Sequence, residues 1–227
     1  MERTALIAGA TGLVGSELVK LLLERRTYKK ITVLVRKRMN MAHPRLEQLV
    51  IDYDELEKVP ADKFEGADLY CALGTTRRKA GSKEQFERVD YGYPMTLGRL
   101  AKRYGTERML VVSAMGADEK SIFFYSQVKG RLERDLQALS LKRLHFFRPS
   151  LIIGNRQEHR FGEELAAKLA RWLPFLFQGP MRKYKPISAK QIAEAMLVAA
   201  MSREDAPLII PSDEIAALAK RLRNVSL

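Results

Sequence analysis

The chain has 227 residues, of which 46% are hydrophobic and 30% charged. That is room for one substantial domain with a packed core, and it excludes wholesale disorder. Its 40 Lys and Arg against 27 Asp and Glu leave a net charge of +13. The excess is spread along the chain without a run of like charges, so it is not a basic tail and no nucleic-acid partner is expected. The single cysteine, Cys71, excludes a disulfide framework and a cysteine-rich metal centre. The three histidines are too scattered for a zinc pattern, so no metal is expected. No apolar run approaches the length of about 18 residues that a membrane helix needs. The opening MERTALIAGATG lacks a secretory signal's apolar stretch. A soluble, cytoplasmic protein is the expectation.

Strand and helix patterns alternate from the start. Thr4–Ala8 (TALIA) is a candidate strand, followed by a glycine-rich turn. Val14, Leu18, Leu21 and Leu22 then share one helix face. Residues 31–35 (ITVLV) are β-branched and apolar on both faces, as a central parallel strand should be. Further strands are expected at 49–51, 69–72, 109–113 and 144–147, with helices at 86–104 and 127–139 between the last three. Beyond Pro149 the spacing predicts a helix over 162–177. A second helix is expected over 188–202 with Ser188 as N-cap, then a short apolar run at 207–211 and a closing helix at 215–222. The reading is one domain over residues 1–227 of the doubly wound α/β class, a parallel Rossmann-type sheet with helices on both faces. Residues 150–227 supply a small substrate-covering elaboration.

The turn after the first strand reads Gly9-Ala-Thr11-Gly12-Leu13-Val14-Gly15. Gly9 permits the tight turn, Gly12 lets backbone approach a pyrophosphate, and Gly15 lets the helix pack on the sheet, with Thr11, Leu13 and Val14 on the same surface. The spacing differs from the G-x-G-x-x-G of the usual fingerprint. In NAD enzymes a carboxylate about 20 residues further on binds the ribose 2′-hydroxyl. Here Arg36 and Lys37 stand at that place, where a guanidinium grips a 2′-phosphate, so NADP(H) is preferred over NAD(H). The bland alternative is a solvated basic loop. Asp52 is placed to accept from an adenine amino group. Leu73, Gly74 and Thr75 end the fourth strand with small groups against which a cofactor ribose can lie. Arg77, Arg78 and Lys79 read as a solvated loop, with an extension of the anion site as the alternative.

Ser113 ends the fifth strand, and Tyr125-Ser-Gln-Val-Lys129 follows. Residues i and i+4 share a helix face, so Lys129 stands one turn from Tyr125. A free phenol with a pKa near 10 is a sluggish acid at neutral pH, and a nearby ammonium favours its ionised form. Tyr125 would pass a proton to a substrate carbonyl, Ser113 would hold that oxygen, and Lys129 would also bind the nicotinamide ribose.

The segments GATGLVG at 9–15, ALGTTRRKAG at 72–81, VSAMGADEKSIFFYSQVKG at 112–130 and FRPSLIIGNRQEHRFGE at 147–163 resemble the short-chain dehydrogenase/reductase superfamily. Within it, they resemble the atypical members of the Tat-interacting-protein type. The resemblance implies strand order 3-2-1-4-5-6 plus a seventh strand, an NADP(H) cofactor, and Ser113, Tyr125 and Lys129 as catalytic residues. It also implies that Arg148, Pro149, Ser150 and Leu151 line the nicotinamide side. Asp90 stands where many relatives carry a catalytic Asn, and Ala114 where many carry a second Ser.

Leu165, Leu169, Trp172 and Phe175, with Arg156, Arg160 and Arg171 among them, suggest an apolar pocket with basic margins, although such a stripe more often packs against the sheet. The expectation is an NADP(H)-dependent oxidoreductase acting on a small hydrophobic carbonyl, alcohol or quinone. The alternative is an NADP(H)-binding redox sensor without turnover. Nothing in the sequence fixes an oligomeric state, a homodimer included.

Overall fold

A computed structural model describes residues 3–154, 184–202 and 207–224. In chain order it contains β1 (Thr4–Ala8), α1 (Leu13–Glu24), β2 (Lys30–Val35), β3 (Leu46–Val50), a 3-10 turn (Tyr53–Lys58) and β4 (Asp68–Cys71). Helices α2 (Arg77–Ala80) and α3 (Lys83–Glu87) follow. A π turn (Arg88–Gly92) then joins α3 to α4 (Tyr93–Arg103). Next come β5 (Arg108–Val112), α5 (Phe124–Ala138), β6 (Leu144–Arg148) and β7 (Ile152–Ile153). The described chain closes with β8 (Ile187–Ser188), α6 (Ala189–Met201), β9 (Ile209–Pro211) and α7 (Ser212–Asn224).

Seven strands form one parallel sheet in the order β3-β2-β1-β4-β5-β6-β9, and β7 pairs with β8 separately. This is the expected doubly wound order with its seventh strand. Alternation along the strands sends side chains to two cores. Ala5, Ile7, Val33 and Leu110 pack with α1, α6 and α7, while Leu6, Ala8, Leu34 and Met109 pack with α4 and α5.

Element boundaries depart from expectation where the chain is half-exposed or uncapped. β3 begins at Leu46 because it is an edge strand with every residue from Leu46 to Leu49 only partly buried, so no apolar run marks its start. Within it, Glu47 accepts a 2.9 Å hydrogen bond from Thr32 and bridges Lys30 and Lys63. α5 begins at Phe124, ahead of the expected 127, with Phe123 at its N-cap and no capping side chain to announce it. By contrast α6 starts where expected, with Ser188 and Gln191 forming a reciprocal capping box. The helix expected over 162–177 lies outside the described residues.

The glycine turn is pinned by close approach. Gly9 has φ +88°, and a Cβ there would sit 2.5 Å from the Ala72 carbonyl oxygen. A Cβ on Gly15 would come within 2.1 Å of the Gly9 carbonyl oxygen. Tyr53 holds the turn from the side. Its hydroxyl accepts from the Gly9 N–H at 3.2 Å and donates to the Leu34 carbonyl at 2.9 Å. Burial pushes the Tyr53 hydroxyl up to about 12, against a smaller opposite pull from the Gly9 N–H.

At the opposite, N-terminal edge of the sheet, Asp68 is buried among cations and phenols. It accepts from Arg3 Nε at 3.1 Å, Arg108 Nη1 at 3.2 Å and the Tyr28 hydroxyl at 2.7 Å. The Tyr28 and Tyr70 hydroxyls share a further 2.7 Å hydrogen bond.

Two outcomes follow from these anchors. Asp68→Ala leaves two guanidinium groups without their buried counter-charge and should cost about 3–5 kcal/mol in denaturant unfolding. Tyr53→Phe should cost about 1–2 kcal/mol at neutral pH through its two lost hydrogen bonds. An unfolded tyrosine ionises near 10, so the folded-state pKa is the higher one. The neutral phenol's contribution is therefore whole below pH about 10 and is lost as the pH rises through about 12. Stability measured against pH should fall less steeply over that window in Tyr53→Phe than in the natural chain.

Candidate active site

The carboxyl ends of β1, β4, β5 and β6 open onto a cleft of about 670 Å³. Ligands of open α/β sheets bind at such an edge, where the strand order reverses between β1 and β4. Most of the expected site residues meet there. Gly12, Leu13 and Val14 come from the turn and α1. Leu73, Gly74 and Thr75 follow β4, Ser113 follows β5, Tyr125 and Lys129 stand on α5, and Pro149, Ser150 and Leu151 follow β6.

The remaining expected residues do not line the cleft. Gly9 and Gly15 act from behind it, as the contacts above require. Thr11 is exposed at the tip of the turn, and Arg36 and Lys37 are exposed just past the end of β2. Asp52 is exposed and caps the 3-10 turn, accepting from the Asp54 N–H at 3.0 Å. Arg77 and Lys79 read as a solvated loop, yet both stand in the cleft wall. Positions 156–177 lie outside the described residues.

The anion-binding end is built from backbone. Gly12 is the N-cap of α1, with no capping side chain and no acidic residue in the first turn. The positive end of the helix and its free N–H groups therefore remain for a ligand. A Cβ at Gly12 would lie 3.2 Å from the Gly9 carbonyl oxygen, so a side chain there would press on the turn. These features fit a dinucleotide's diphosphate.

At the other end, Tyr125 stands in the first turn of α5, 42% exposed, with its ring edge-on to Phe86 at 5.8 Å. One turn on, Lys129 is fully enclosed and its ammonium lies 2.8 Å from Asp90 Oδ1. The second oxygen of Asp90 accepts from the Thr75 N–H at 2.8 Å. Burial works against the charge on Lys129, but Asp90 and Tyr125 outweigh it and its pKa stands above the ordinary lysine value. Asp90 itself sits in the π turn, a distortion that often marks functional positions. Gly130 lets the 118–119 segment cross α5 beside this pair, since a Cβ there would fall 2.1 Å from Glu119 N. Cys71 is buried nearby, and burial pushes its thiol up to about 11, so it is no nucleophile.

Ser113 reaches the cleft with its hydroxyl hydrogen already committed. It donates to Glu133 Oε1 at 2.5 Å, and Glu133 is held in turn by Arg148, whose Nε donates at 3.0 Å and 3.2 Å to its two oxygens. Sequence reasoning missed Glu133, Tyr53 and Phe86. Glu133 falls four residues after Lys129, the same helical spacing that linked Lys129 to Tyr125. That spacing was the signal available for it.

A family described as NAD(P)H-binding matches residues 9–143, more than half of the chain. Protein HTATIP2 of Rattus norvegicus is 39% identical over 177 residues, covering 76% of this chain and 72% of that protein. The mitochondrial protein FMP52 of Candida albicans is 32% identical over 227 residues, covering 95% of this chain and 98% of that protein. Among solved structures, the Thermus thermophilus UDP-glucose 4-epimerase in complex with NAD superposes with a TM-score of 0.65 at 20% identity, covering 97% of this chain and 83% of that one. The Bordetella bronchiseptica enzyme WbmH in complex with NAD+ superposes at 0.68 with 14% identity, covering 100% and 83%. These two likenesses show the fold.

The relatives overturn the expectation of a cytoplasmic protein. The FMP52 proteins of Candida albicans, Eremothecium gossypii and Debaryomyces hansenii, between 29% and 32% identical, are named mitochondrial. The expectation rested on a missing secretory signal and a missing membrane span, and neither separates cytosol from an organelle interior. Among the described residues no helix is long and apolar enough to cross a membrane. With the nucleotide turn, the cleft and these matches together, the chain belongs to the NAD(P)H-binding Rossmann family and is a homologue of the HTATIP2 and FMP52 proteins.

Proposed function

We propose that this chain is an NADP(H)-dependent oxidoreductase of the short-chain dehydrogenase/reductase type. Its substrate is a small hydrophobic carbonyl or alcohol compound, or a quinone, and Tyr125 is its general acid and base. The observation that carries this reading is a reachable phenol at the cleft, one helical turn from an enclosed, charged lysine.

The bound nicotinamide supplies or accepts the hydride. The chain's own residues do the rest. Gly12, Leu13 and Val14 bring backbone and the α1 terminus to the diphosphate, and Leu73, Gly74 and Thr75 leave room for a ribose. Arg36 and Lys37 receive the 2′-phosphate, Asp52 the adenine, and backbone at Pro149, Ser150 and Leu151 the carboxamide. The Ser150 hydroxyl is itself engaged, since it bonds the Lys185 carbonyl and accepts from Ser212 at 3.1 Å.

In the reducing direction Tyr125 gives its phenolic hydrogen to the substrate oxygen, and the ammonium of Lys129 faces the charge left behind. Asp90 cancels part of that ammonium's field, so Lys129 favours a phenolate less than a lone cation would. In exchange the lysine is held in one place by its buried partner Asp90, and its position is fixed before any ligand arrives.

Reduction of 9,10-phenanthrenequinone by NADPH tests the reading. Tyr125→Phe should lower the turnover number by about 10²–10⁴ with folding intact. Equal rates in the two proteins would leave the redox-sensor reading in its place. Arg36→Glu should raise the Michaelis constant for NADPH by about 10–100-fold and change that for NADH little, because only the 2′-phosphate is repelled. Equal effects on the two cofactors would remove the NADP(H) assignment.

A further inference from the structure

We propose that Glu133 is a positioning residue that fixes Ser113 as a hydrogen-bond acceptor, so that the site selects carbonyl substrates bearing a hydroxyl beside the reacting oxygen. The inference rests on the oxidoreductase reading above and goes beyond it by naming the substrate class.

A serine hydroxyl has one hydrogen and two lone pairs. Ser113 gives that hydrogen to Glu133 Oε1 at 2.5 Å, the length of a strong hydrogen bond to a carboxylate. Glu133 is buried, and a buried carboxylate needs a compensating cation. Arg148 provides one in a forked contact, with Nη2 to Oε2 at 2.5 Å and Nε spanning both oxygens. The carboxylate is therefore an acceptor on every side. It cannot return a hydrogen to Ser113, and turning Ser113 away would strand a buried charge without its third donor.

What Ser113 has left for the cleft it lines is lone pairs. Set against a bare ketone oxygen, those lone pairs repel. A hydroxyl on the carbon next to the carbonyl donates to Ser113 while the carbonyl oxygen takes its hydrogen from Tyr125. An α-hydroxyketone satisfies both groups at once, and a simple ketone satisfies one. Recognition by a buried polar group that would otherwise stay unpaired is among the more discriminating contacts a site can make.

The test compares 2-hydroxyacetophenone with acetophenone as substrates of the NADPH-loaded protein. It also measures calorimetric binding of both to the protein loaded with oxidised NADP, where no reduction follows. The natural chain should favour the hydroxyketone about tenfold in kcat/KM and in binding. Ser113→Ala should bring that ratio to about one. Glu133→Gln should likewise bring it to about one. Its amide oxygen stays on Arg148 and its NH2 donates to Ser113 Oγ, which frees the serine hydrogen for the carbonyl oxygen of either ketone. A purely structural Glu133 would lower both substrates together and leave the ratio unmoved.

Should Glu133→Gln fail to fold, the Ser113→Ala ratio decides alone, since that variant leaves the Glu133–Arg148 pair in place. A natural chain that treats the two ketones alike, prefers acetophenone or binds neither, while still reducing 9,10-phenanthrenequinone, overturns this inference and spares the oxidoreductase reading. Absence of turnover with every one of these compounds overturns both.

Discussion

The contact between Lys129 and Asp90 is the constraint on which the site depends. Two opposite charges, both almost wholly withdrawn from water, stand 2.8 Å apart between α5 and the π turn. Removing such charges from water costs several kcal/mol each, and their attraction offsets that only when the remaining hydrogen-bonding capacity is also met. The Thr75 N–H meets part of it, so the loop after β4 is tied into the same cluster. Three pieces of chain far apart in sequence are thereby held at one point of the cleft, and the phenol one turn before the lysine inherits that fixed position.

The two ends of the sheet handle charge by the same rule with different consequences. At the N-terminal edge, Asp68 is surrounded by Arg3, Arg108 and Tyr28, which act as a structural fastening. At the carboxyl edge, Lys129 and Asp90 line the cleft, and the Arg148–Glu133 pair reaches it through Ser113. Glycines make the second arrangement reachable. Positions 9, 15 and 130 each have backbone where a side chain would begin, which brings the turn, α1 and the 118–119 segment close enough to shape a cleft.

Much of this was legible in the residues. The alternation of apolar runs and helical faces is set by local periodicity and points to the doubly wound parallel class, while the strand order with its seventh strand, found at Ile209–Pro211, came from the family resemblance. The glycine turn and the Tyr125–Lys129 pair were found because both depend on short spacings. What stayed hidden depends on distance in the chain. Tyr53 reaches Gly9 across 44 residues and Arg148 reaches Glu133 across 15, and no local pattern marks either. The start of β3 is hidden because Leu46 to Leu49 of this edge strand are all only partly buried, so no apolar run or alternation marks it. Asp90 was noticed only as a departure from a family pattern, and its role follows from what it touches. Arg77 and Lys79 are both exposed and part of the cleft wall, and a basic tripeptide after a strand reads the same in either setting.

The single widened turn at Arg88–Gly92 has a consequence for the phase of the helices around it. In an uninterrupted α-helix each residue advances about 100°, so the faces of α3 and α4 would run on as one stripe. An i→i+5 turn slips that stripe by roughly one residue. Phe86, ahead of the slip, meets the ring of Tyr125, and Asp90, within it, meets Lys129, while Leu97, Leu100 and Ala101 beyond it point into the core. One continuous rod thus serves two differently oriented clients, the cleft and the interior. Its irregular turn is the angular offset that lets both be served from the same axis.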